Sequence, residues 1–138
     1  MKKMFVPFCF VALAAISCNS EGIGFGDLPS TAQVFIKEFF SNLDISFAER
    51  ESDGYEVNLG NKVSIDFDSR GRWESIKGNV PLPPAILPLL SQEYLEEEYE
   101  SVSIIEMDKG YSGYEVKLNN GIEILFAADG AFIRSEID

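Results

Sequence analysis

The chain has no histidine, and its two cysteines, Cys9 and Cys18, both stand near the N-terminus. Histidine-based triads, histidine-ligated zinc and imidazole proton shuttles are therefore excluded. Cations are also scarce: 11 Lys and Arg stand against 23 Asp and Glu, a formal net charge of −12. Such a balance repels phosphate backbones and excludes nucleic acid as an expected partner. The apolar run at residues 5–16 is too short for a bilayer, which takes about 20 apolar residues.

That run is placed for export. Lys2 and Lys3 precede it, and Ala15-Ile16-Ser17 leads from it directly into Cys18. A positive start, an apolar core, small residues and a cysteine, in that order, resemble a bacterial lipoprotein signal whose cysteine is lipidated. Residues 1–17 are then a signal peptide, Cys18 is the lipidation site, and residues 18–27 are a tether. The only membrane contact expected is through that lipid, with the chain exported to face the periplasm or sit on the outer membrane. Removal of Lys2 and Lys3 takes the formal charge from −12 to −14. With Cys9 lost and Cys18 acylated, no thiol remains for a disulfide, a metal or a nucleophile.

What the chain does have is a repeat. "GYEV" occurs at residues 54–57 and again at 113–116, and a shift of 59 residues aligns much more. Leu28-Pro29 falls on Leu87-Pro88, Gln33 on Gln92, Ile45 on Ile104, Leu59 on Leu118, Asn61 on Asn120, Phe67 on Phe126 and Gly71 on Gly130. There are about 14 identities over about 49 positions without a gap, which chance does not maintain.

Each unit opens with a helix pattern. Ala32, Phe35, Ile36, Phe39 and Phe40 recur at helical spacing behind Pro29, which suits a first turn. Leu87, Ser91, Tyr94, Leu95 and Tyr99 trace the equivalent face. The period then switches to two, in Leu43/Ile45/Phe47, Tyr55/Val57/Leu59 and Val63/Ile65/Phe67, marking strands with one apolar side. A short fourth strand carries Trp73, or Phe132 in the second unit. Only a three-residue loop at residues 60–62 keeps the apolar faces matched, because a one-residue slip reverses every side chain. It pairs Leu59 with Val63, Val57 with Ile65 and Tyr55 with Phe67, and by repetition Tyr114 with Phe126.

About 50 residues per unit is marginal for an independent core. The expected fold is therefore α+β: two tandem helix-plus-four-strand repeats, residues 28–78 and 87–138, forming one antiparallel sheet with both helices on one face. The proline-rich residues 79–86 link them.

The Leu-Pro leading an aromatic-rich helix, then "GYEV.L.N" and "I.F...G.W" in two copies, resembles the putative beta-lactamase-inhibitor-like, PepSY-like proteins. The resemblance spans roughly residues 28–137 and implies the fold of the beta-lactamase inhibitor protein, whose eight-stranded sheet grips an enzyme. Ser41 and Glu100 stand where the family often has proline, which bears on the helix ends.

Sites are weighed against plainer explanations. Asp66, Asp68 and Gly71 match the start of a calcium loop, but Arg70 and Lys77 occupy positions that need oxygen ligands, so a strand ending in a turn accounts for them. Glu96-Glu97-Glu98 and Glu100 are accounted for by a solvated helix face, and Trp73 and Phe132 by core packing. No catalytic residue, cofactor or metal ligand is assigned. The sheet face away from the helices remains, with Glu56, Asn58, Ser64 and Asp66 from unit one and Glu115, Lys117, Glu123 and Leu125 from unit two. The expected function is non-enzymatic binding of a protein, such as an envelope enzyme, through that face. The alternative is an envelope sensor or structural module that binds ions or small ligands through its acidic surface.

Overall fold

The computed structural model describes residues 21–137. The leader and Cys18, the expected lipidation site, lie outside the described residues. No helix among the described residues is long and apolar enough to cross a membrane.

Two helices, α1 (Ser30–Phe39) and α2 (Leu89–Glu98), each precede a four-stranded meander. The first meander is β2 (Ile45–Glu51), β3 (Gly54–Leu59), β4 (Val63–Asp68) and β5 (Trp73–Gly78). The second is β6 (Ile104–Lys109), β7 (Gly113–Leu118), β8 (Ile122–Ala127) and β9 (Phe132–Ile137). β5 pairs with β6, so the two meanders make one antiparallel sheet with its strands in chain order.

The sheet has nine strands rather than eight. The extra edge strand, β1 (Glu21–Ile23), comes from the segment expected to be a tether. Glu21 pairs with Arg50 in register and through a 3.0 Å salt bridge, while Ile23 and Phe25 pack on the core. An apolar pair spaced for the core side outweighs the glycine content of that segment.

The loop register agrees with the sequence. Tyr55 faces Phe67, Val57 faces Ile65, Leu59 faces Val63, and Tyr114 faces Phe126. The two three-residue loops reach this register differently. Gly60 and Asn61 take positive φ (58° and 56°) in the first, whereas Gly121 alone does so in the second (φ 91°).

One expected alternation fails. A bulge between Ile45 and Phe47 turns Phe47 to the open face, 43 % exposed, and puts Ala48 in the core. The same bulge lies between Ile104 and Glu106, and a second pair of bulges follows Asp66 and Leu125. A period-two reading cannot see an inserted residue, so its faces invert beyond each bulge.

The glycine of GYEV is explained by the strand beside it. A Cβ at Gly54 would collide with the Phe67 carbonyl, and one at Gly113 with the Phe126 carbonyl. The glycine admits a neighbouring strand and is not there to turn the chain.

The core lies between the helices and one sheet face. Phe35 of α1 meets Phe67 edge-on at 5.9 Å, and Tyr94 of α2 meets Phe126 edge-on at 5.8 Å. Gln33 donates to the Leu28 carbonyl and Gln92 to the Leu87 carbonyl, both at 2.8 Å, tying each helix to its entry. The proline-rich link is part of the fold: Leu82 is buried and its N–H bonds the Ile104 carbonyl at 2.9 Å.

Candidate functional site

The open face of the sheet follows from register. Residues opposite one another share a face, so Glu49, Glu56, Asp66 and Ser75 form one row across β2 to β5. Asp108, Glu115, Leu125 and Arg134 continue it across β6 to β9. A parallel row carries Phe47, Asn58, Ser64, Lys77, Glu106, Lys117, Glu123 and Glu136. All residues assigned to this face from the sequence, namely Glu56, Asn58, Ser64, Asp66, Glu115, Lys117, Glu123 and Leu125, stand in these two rows.

The structure adds residues that alternation within a single hairpin did not reach. Glu49 and Glu51 of β2 come beside Glu56, and the three bring carboxylate oxygens within 4.8 Å of one another. Glu106 and Asp108 join Glu115, Lys117 and Glu123 around a small cavity of about 90 Å³. The bulge in β2 and β6 hid these residues. Counting back from the GYEV partner strand, with one residue skipped, would have found them.

Like charges at this spacing repel, and several of the carboxyls are held above their ordinary range. Partial burial, then Glu56, Asp66, Glu49 and Asp53, push Glu51 up to about 6. Asp66 is also pushed up to about 6, by desolvation against the sheet and then by Glu56, although its side chain still reaches solvent. Lys77 opposes that rise. Glu106 and Glu115 are raised by burial and then by Asp108 and Glu123 respectively. The face is thus electrostatically strained in both units and suited to receive positive charge.

Three carboxylates within 4.8 Å have the chemistry of a partial hard-cation site, since calcium takes several oxygen ligands at about 2.3–2.6 Å. The residues aligned with Glu49, Glu51 and Glu56 are Asp108, Gly110 and Glu115, so the second unit lacks one of the three. At the end of the first hairpin, a cavity of about 250 Å³ is lined by Asn58, Asn61, Ser64, Lys77 and Asn79 among others. The Asn58 Oδ1 is buried there without a hydrogen-bond partner.

Two other sequence candidates, Asp68 and Trp73, are structural. Asp68 accepts the backbone N–H of Arg70 and Arg72 at 2.9 Å and the Arg72 Nε at 3.0 Å. These bonds lower its carboxyl against the opposing effect of desolvation, and they shape a turn. Trp73 is buried beneath Phe35 and beside Tyr114, not presented as a platform.

A protein-family model described as "Putative beta-lactamase-inhibitor-like, PepSY-like" matches residues 14–72 and 53–134. Among solved structures, one described as a "putative calcium-regulated periplasmic protein" from Bacteroides thetaiotaomicron is 31 % identical. Its TM-score is 0.79, and the match covers 85 % of this chain and 96 % of that one. A protein from Bacteroides vulgatus described as a "putative periplasmic protein" is 29 % identical, with a TM-score of 0.78 and coverage of 87 % and 98 %. A second protein from the same species, also described as periplasmic and of unknown function, is 25 % identical with a TM-score of 0.76, covering 85 % and 98 %. Among curated proteins, none matches the chain.

Proposed function

Since the chain belongs to the putative beta-lactamase-inhibitor-like, PepSY-like family, we propose that it is an exported, non-enzymatic module that binds a protein partner through the open sheet face. Similar chains described as periplasmic support the export, and the leader ending at Cys18 supports anchoring by a lipid. The observation that carries the binding role is the accumulation of carboxylates across both units of that face, raised by burial and mutual repulsion. A fold gains nothing from such repulsion, whereas a basic partner surface relieves it. Phe47, exposed on the same face, offers an apolar anchor at its margin. Inhibition of an envelope enzyme is the form of binding that the family description suggests.

The test is capture of an envelope protein by residues 19–138 at fixed stoichiometry. Capture is expected to be lost on Glu56→Lys with Glu115→Lys. Capture that survives both reversals, or turnover of a substrate by the chain, refutes the reading. Cys18→Ser is expected to abolish acyl labelling and membrane fractionation.

A second reading has its own observation, the meeting of Glu49, Glu51 and Glu56. Here the ligand is a divalent cation, in keeping with the description of the Bacteroides thetaiotaomicron relative as calcium-regulated. Calcium is then expected to raise the melting temperature of the wild type and to leave that of Glu51→Gln unchanged. An equal rise in both variants removes this site.

A further inference from the structure

On the helix side, two grooves flank the proline-rich link and differ in chemistry. The groove beside α1, about 470 Å³, is lined by Phe39, Phe40, Leu43, Val63 and the link, with Lys62 as its charged residue. The groove beside α2, about 680 Å³, has Leu82, Leu95 and Ile104 among its apolar residues, Leu89 at its lip and Glu93, Glu96 and Glu100 around it. Among the described residues, no lysine or arginine lines this second groove.

The comparison of units says which of these residues the fold requires. Leu89, Glu93, Glu96 and Glu100 align with Ser30, Val34, Lys37 and Ser41. The first unit builds the same helix, ending at Phe40 as α2 ends at Tyr99, without a leucine at the lip or any of the three acids. Leu89 is 66 % exposed, so it contributes little to the core. Leu90 beside it is 49 % exposed and aligns with Thr31. An apolar lip has thus been placed where the first unit has serine and threonine, and an acidic border where it has valine, lysine and serine.

We propose that the groove between α2 and the proline-rich link is a docking site for a protein segment carrying an apolar residue flanked by lysine or arginine. The apolar side chain enters over Leu82, Leu95 and Ile104 and is held by Leu89, while its basic neighbours meet Glu93, Glu96 and Glu100. The volume suits a few side chains rather than a whole domain. This surface lies on the side of the sheet opposite the acidic face, so the two sites are independent and a bound segment leaves that face free.

The experiment measures binding of a fluorescent peptide of about ten residues, alternating leucine and lysine, to the purified exported chain. Controls are the same peptide with serine for leucine and with glutamate for lysine. Binding of the leucine–lysine peptide is expected to be at least about tenfold tighter than either control. Leu89→Ser and the pair Glu96→Lys with Glu100→Lys are each expected to weaken it by about tenfold. Glu56→Lys with Glu115→Lys, on the other face, is expected to leave it unchanged. The altered groove residues are exposed, so circular dichroism of the variants is expected to match wild type. Absence of binding, equal binding by the groove variants, or loss in the sheet-face variant overturns the proposal. So does self-association that Leu89→Ser abolishes, since a second copy would then be the occupant.

Discussion

The strands that close the two units, β5 and β9, have aligned sequences and opposite circumstances. β5 lies between β4 and β6, and its Trp73 is 7 % exposed beneath Phe35, beside Tyr114, with the Lys109 Nζ 4.8 Å from its ring centre. β9 is an edge strand, exposed along its length, and its Phe132 is 41 % exposed while stacking on Tyr94 at 4.4 Å. The equivalent strand therefore builds the centre of the molecule in the first copy and its rim in the second. The difference comes from pairing: β5 is covered on both edges, by β4 and β6, whereas among the described residues β9 pairs with β8 alone. Arg134 and Glu136 bridge at 3.1 Å on β9, and charged side chains disfavour further pairing at a sheet edge.

The sharpest way to break this comparison is to remove both aromatics. Trp73→Ala is expected to cost about 3–5 kcal/mol, as for a buried large aromatic, and Phe132→Ala about 1 kcal/mol. Equal losses in denaturant unfolding would mean that the edge strand bears as much as the centre. Next come the glycines, where the units should agree. Gly54→Ala and Gly113→Ala are each expected to lose about 2–4 kcal/mol, since both Cβ atoms meet a backbone carbonyl that cannot move alone. A neutral alanine at either site would show that the strand yields there.

A smaller effect separates the helices. Ser91 is buried and donates to the Gly130 carbonyl at 2.8 Å, where the first unit has Ala32 against Gly71. Ser91→Ala is expected to cost about 1–2 kcal/mol by leaving that carbonyl unpaired. Ser91→Gly, measured beside it, would fall further through helix propensity alone.

The smallest effect concerns pH. Glu51 and Asp66 have folded values near 6, above their ordinary 4.5 and 3.8. The folded state therefore holds their protons more tightly than the unfolded state. The stability this contributes is fully present below their ordinary values and is lost as pH rises through about 6. Both groups reach solvent, so screening keeps the change on the order of 1 kcal/mol or less. The melting temperature is expected to fall between pH 4.5 and pH 7, and less so in Glu51→Gln with Asp66→Asn. A rise over that range in the wild type would contradict the crowding of the open face.

The outward character of Glu56, Asn58, Asp66 and Glu115 was legible because a hairpin of known loop length fixes its own faces. The neighbours that complete the acidic face were not, because Glu49, Glu51, Glu106 and Asp108 lie beyond bulges that shift the alternation by one. Nor was β1 visible. Its three residues gain their place from pairing with β2, a contact remote in sequence.

The sequence by itself determined the repeat, the helix faces and the hairpin registers, all of which rest on local periodicity and covalent spacing. The tertiary structure decided that β5 and β6 join, that the link is packed at Leu82, and which copy occupies the centre. These depend on how two marginal cores share one sheet. It also gave the two copies of GYEV their meaning. Their glycine is fixed by a carbonyl on the next strand, and their glutamate faces a neighbour, Asp66 or Leu125, that the motif does not contain.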